Sequence, residues 1–113
     1  MQEKLIIKEE GEFLKIKIVG EIDHHTATQI RTGVDSALFN VRPKVLILDF
    51  SLVKFMDSSG IGLIIGRCEK AKSVGATVKL TELSKTAYKI ATLSGLQKIE
   101  NLEMEKRYEK NTK

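Results

Sequence analysis

Tryptophan is absent from this chain, cysteine and proline occur once each, and aromatic residues make up only 5% of it. A single cysteine excludes an intrachain disulfide, and Cys68 falls on the apolar stripe of a helical pattern, where a small, inert, buried thiol is expected. With so few aromatic residues the core has to be built from Ile, Leu and Val, which the runs LIIK, LKIKIVG and KVLILDF supply. No stretch approaches the roughly 20 apolar residues that span a bilayer, and the N-terminal MQEKLIIKEEGE has no basic segment leading into a long apolar run. A cytoplasmic protein with no membrane partner is therefore expected. The chain also lacks an excess of one charge large enough to define a polyanion-binding surface. Its net +4 comes from 19 Lys and Arg set against 15 Asp and Glu, interleaved as in EKRYEK near the end. No aromatic residues are interspersed among the cations, so no direct nucleic-acid partner is expected.

What is present suits one compact domain: 113 residues, 42% hydrophobic and 30% charged, with no repeat, low-complexity segment or internal linker. Residues 5–9 and 13–19 read as strands joined by a tight turn at Glu10-Gly11-Glu12, the second alternating Leu14, Ile16 and Ile18 with Lys15 and Lys17. Ala27, Ile30, Val34, Ala37 and Leu38 form the stripe of a helix over 26–39, which Pro43 prevents from continuing. Val45 to Leu48 is an unbroken apolar run, as in a central strand covered on both faces. Ile61, Ile64, Ile65, Cys68 and Ala71 mark a second helix over 59–73, with Arg67, Glu69, Lys70 and Lys72 largely opposite. Residues 77–80 follow as a strand. A third helix runs from a Ser84 cap to about Ser94, and Gly95 stands where a left-handed residue ends it. From Leu102 a short charged helix or tail is expected, outside a core of about residues 4–101. The alternation after the hairpin predicts an α/β domain whose mixed sheet carries packed helices. Loops 20–26 and 55–60 would then leave neighbouring carboxyl ends of strands, where open α/β sheets carry their sites.

Those loops are GEIDHHT and FMDSSG. They hold the residue types of a hydrolase, with Ser58 as nucleophile, His24 or His25 as base, and Asp23 or Asp57 as orienting acid. The strained elbow that exposes such a serine is G-x-S-x-G, however, and Met56 occupies the position of its first glycine. No catalytic residue is therefore assigned. His24 and His25 are the only histidines and point about 100° apart on a helix, so they do not grip one metal together, and no metal site is assigned. The glycines of GIG do not make a G-x-x-x-x-G-K-[ST] phosphate loop, and no cofactor is expected. Asp57, Ser58 and Ser59 can cap a helix, but Gly60 and Gly62 in its first turns each disfavour helix by about 1 kcal/mol relative to Ala, which suggests close approach of another surface. A serine exposed there is also open to phosphorylation.

GEIDHHTA, FMDSSGIGLIIGR and LSGLQKI together resemble the anti-sigma factor antagonists of the STAS family, nearest to those acting in sporulation, over roughly residues 12–101. The resemblance implies a single STAS-type domain without catalysis of its own. Such a protein, as a monomer or weak dimer, binds an anti-sigma factor that is itself a serine kinase, releases a sigma factor, and is switched off by phosphorylation. The acceptor would be Ser58, reset by a PP2C-type serine phosphatase. The partner-binding surface would comprise Asp23, His24, Thr26, Asp57, Ser59, Gly60, Gly62 and Arg67. An alternative within the family is a binding module of a stress-signalling or transport complex without sigma-factor control.

Overall fold

The computed structural model describes residues 5–108. Five strands form one sheet in sequence order: β1 (Leu5–Glu10), β2 (Phe13–Ile22), β3 (Val45–Met56), β4 (Thr77–Leu83) and β5 (Leu102–Lys106). β1 and β2 are the expected antiparallel hairpin, and β2, β3, β4 and β5 run parallel. Between them lie α1 (His24–Val41), α2 (Ser58–Ser73) and α3 (Lys85–Leu93). Each crossover returns to the adjacent strand, and right-handed connections therefore place all three helices on the same face.

That one-sided packing corrects one expectation. The run Val45 to Leu48 is covered on one face only: Leu46 and Leu48 are buried, while Val45 and Ile47 are half-buried on the open face. Ile47 tolerates that position because its register partners are Lys15 on β2 and Lys79 on β4, whose aliphatic stems shield it. Their ammonium groups meet Asp49 at 3.6 Å and Glu105 at 3.1 Å, respectively. Burial alone would raise the pKa of Asp49, but the Ser51 backbone N–H and hydroxyl, with Lys15 and Lys17, outweigh it and hold the carboxyl below its usual range.

The stretch from Leu102 is a second correction. Residues 102–106 are the edge strand β5, not a helix, and Leu102 is buried in the core. Leu102, Glu103, Met104 and Glu105 alternate with a period of two, and pairing with β4 supplies the hydrogen bonds that the isolated segment lacks. The part of the expected tail from residue 109 onward lies outside the described residues.

Helix ends follow local chemistry. Pro43 does stop α1, whose C-cap Arg42 takes a left-handed φ of 52° and donates its N–H to the Leu38 carbonyl at 2.8 Å. Ser84 caps α3 by accepting the Ala87 N–H at 3.0 Å, and Gly95 has the left-handed φ of 83° expected of it. Cys68 is buried as expected, and desolvation pushes its thiol pKa up to about 11, leaving little thiolate at neutral pH.

Candidate functional site

β2 and β3 stay paired beyond Asp49, where the pairing of β3 with β4 ends, and finish together, with Ile22 opposite Met56. Both of these side chains are buried, which anchors the two strand ends. The next residues, Asp23 and Asp57, are the N-caps of α1 and α2, and the Asp57 N–H donates to the Ile22 carbonyl at 3.2 Å. The two polar loops are thus side by side, at the carboxyl end of the parallel strands.

Asp23 accepts the N–H groups of His25 and Thr26 at 2.9 Å each, both through Oδ1. Thr26 completes a capping box: its hydroxyl accepts the Asp23 N–H at 3.0 Å and donates to the Glu21 carbonyl at 2.8 Å. The Thr26 N–H bond is the main reason the Asp23 carboxyl lies below its ordinary pKa; desolvation opposes it, and the His25 N–H adds to the lowering. Thr26 therefore holds the loop in shape from within. His24 and His25 are exposed, with ring centroids 5.8 Å apart.

In the second loop Asp57 is the cap, accepting the Ser59 N–H at 2.8 Å, and Ser58 is the first residue of α2 and exposed. The division of labour among these residues is set by position. The cap's carboxylate turns inward to satisfy the helix donors, so the following side chain is directed outward.

The two glycines differ. Gly60 is buried, and a Cβ there would collide with the Met56 side chain, so the close approach it permits is internal. Gly62 is exposed with open space about it, and of the two it is the one suited to lie beneath a partner. Gly60→Ala should destabilise the domain by ~2 kcal/mol through overpacking at Met56, whereas Gly62→Ala should be neutral or stabilising by up to ~1 kcal/mol from helix propensity. Urea denaturation of both variants checks this, and equal stabilities would remove the distinction.

Arg67 departs furthest from expectation. Rather than lying on the polar side of α2, it is only 3% exposed, with Nε 2.8 Å from Asp35 Oδ1 on α1. At about 100° per residue it falls inside the arc of the buried residues Gly60, Leu63, Ile64, Cys68 and Ala71, and Ile65 falls outside it, 39% exposed. The spacing carried this signal, but the charge pointed the other way. Burial lowers the Arg67 pKa, and Asp35 opposes that shift. Arg67 also lines a groove of about 390 Å³ between the N-terminal parts of α1 and α2, with His24, Thr28, Arg31, Ser59 and Gly62. Asp35 and Arg31 were not singled out from the sequence, because their roles depend on α2 packing beside α1.

The anti-sigma F factor antagonist of Lysinibacillus sphaericus is 36% identical over 85 residues, covering 75% of this chain and 73% of the relative. The solved structure of the anti-sigma factor antagonist SpoIIAA in its unphosphorylated form superposes with a TM-score of 0.68 at 28% identity, covering 95% of this chain and 89% of that one. That of the Bacillus cell fate determinant SpoIIAA in the phosphorylated form gives 0.67 at 32% identity, covering 88% and 89%. The family model described as STAS domain matches residues 4–109, and this chain belongs to that family.

Proposed function

We propose that this chain is an anti-sigma factor antagonist of the sporulation type, which binds an anti-sigma factor serine kinase and thereby releases a sigma factor. The observation that carries the reading is the exposure of Ser58 at the first position of α2, with Asp57 taking the capping role that would otherwise occupy a hydroxyl. The likeness to the anti-sigma F factor antagonist of Lysinibacillus sphaericus and to the anti-sigma factor antagonist SpoIIAA supports the assignment. In this reading the partner covers Asp23, His24, Asp57, Ser58, Ser59 and Gly62. Thr26, Gly60 and Arg67 shape that surface from beneath, since the Thr26 hydroxyl is committed to the loop backbone and the other two are buried. The kinase transfers the γ-phosphoryl group of ATP to the Ser58 hydroxyl, releasing ADP and a proton, and a PP2C-class phosphatase hydrolyses the ester to restore the serine. The chain performs no chemistry itself.

Incubation with the kinase and ATP should add one phosphate, placed on Ser58 by peptide mass spectrometry. Phosphate on Ser59, Thr26 or Ser84 with Ser58 unmodified would overturn the assignment.

A further inference from the structure

Between Glu82 and Glu100 the sequence contains no acid, and the three lysines of that interval, Lys85, Lys89 and Lys98, are all exposed. The fold adds a fourth cation from a distant segment. Lys106, at the end of β5, places Nζ 5.2 Å from the centroid of the Tyr88 ring on α3. Lys85, Tyr88, Lys89, Leu93 and Lys106 thereby line a shallow groove of about 310 Å³. It borders a second hollow of about 450 Å³ that shares Lys85 and Lys106 and is completed by Arg107 and Tyr108. Leu93 is 78% exposed at the groove's rim, an unusual position for leucine on a helix that otherwise buries Ala87 and Ala91. Arg107 is a fixed wall, because its Nη2 donates to the carbonyls of Phe50 at 3.1 Å and Glu82 at 3.2 Å. Of the nearby acids, Glu105 is paired with Lys79. β5 is also the edge of the sheet among the described residues, so its outer backbone groups face no further strand.

We propose that the groove between α3 and the edge strand β5 is a docking site for an extended acidic peptide segment of a partner protein. Carboxylates of that segment pair with Lys85, Lys89 and Lys106, an apolar side chain packs on Leu93 and Tyr88, and its backbone adds to the free edge of β5. The outer edge of β5 offers backbone groups that a peptide, but not a bilayer, can pair with, and Lys106 already occupies the Tyr88 ring that a nucleic-acid base would stack on. The site is separate from Ser58 and does not depend on the antagonist reading.

Fluorescence anisotropy of the full chain with a short fluorescein-labelled Glu-Leu peptide tests the proposal, with a Lys-Leu peptide as control. The Glu-Leu peptide should bind and the control should not. The combined variant Lys85→Glu, Lys89→Glu, Lys106→Glu should weaken binding by roughly tenfold or more, with circular dichroism confirming an intact fold. The combined variant Lys44→Glu, Lys70→Glu, Lys72→Glu, at exposed lysines outside the groove and with the same change of charge, should have a much smaller effect. Equal losses in the two variants would reduce the effect to net charge and overturn the proposal. So would failure of the Glu-Leu peptide to bind, or tighter binding to phosphatidylserine vesicles or single-stranded DNA than to the peptide.

Discussion

Ser58→Asp should leave the domain folded and weaken the proposed complex with an anti-sigma factor kinase by about a hundredfold, a loss of ~3 kcal/mol. The fold is expected to survive because residue 58 opens α2, where free N–H groups and the helix dipole favour an anion, and because it is exposed. The energetic cost therefore falls on the interface. A charge placed beside the exposed Gly62 and the Asp57 cap must lose hydration when a partner closes over it, and nothing in the chain's own packing relieves that loss. A phosphoserine carries nearly twice the charge of Asp and should repel the partner more strongly. Ser58→Ala removes the acceptor without adding charge, so it should bind like wild type and not be released by kinase and ATP. Isothermal calorimetry on the three proteins decides the matter. Equal affinities for Ala, Asp and Ser at position 58 would show that charge there does not operate the switch.

The largest stability effect is expected at Asp35. Its removal by Asp35→Ala leaves the Arg67 guanidinium without its counter-charge while the side chain stays buried between α1 and α2. Unpairing a buried charge typically costs about 3–5 kcal/mol, and the lower end applies here because the Asp35 side chain keeps 21% of its surface exposed. In a domain of this size ~3 kcal/mol corresponds to a fall in Tm of roughly 10–20 °C. Replacing both residues, Asp35→Ala with Arg67→Met, should recover most of the loss, because an apolar pair has no charge to desolvate. Thermal and urea denaturation of the single and double variants measures the coupling. A single variant as stable as wild type would mean that water reaches Arg67 once Asp35 is gone.

The sequence by itself determined those features whose causes are local. The hairpin at Gly11, the stop at Pro43, the Ser84 cap, the left-handed Gly95, the apolar stripe of α1 and, Ile65 excepted, that of α2 each depend on interactions within a few residues, and each is present in the structure. The DHHT and DSSG strings likewise identified both loops. Where one segment meets another, the tertiary structure decided. Arg67 turns inward because Asp35, 32 positions earlier, offers a counter-charge across the α1–α2 contact, and no periodicity within α2 contains that partner. Gly60 is required by Met56 at the end of β3, so a glycine that suggested an external surface reports an internal one. Residues 102–106 become a strand because β4 presents an unsatisfied edge, and the open sheet face keeps Ile47 by covering it with lysine stems from both neighbouring strands. In each case the deciding free energy, the pairing of a buried charge, the filling of a cavity or the closing of a backbone ladder, resides in a contact between distant residues and comes into being only when the chain folds.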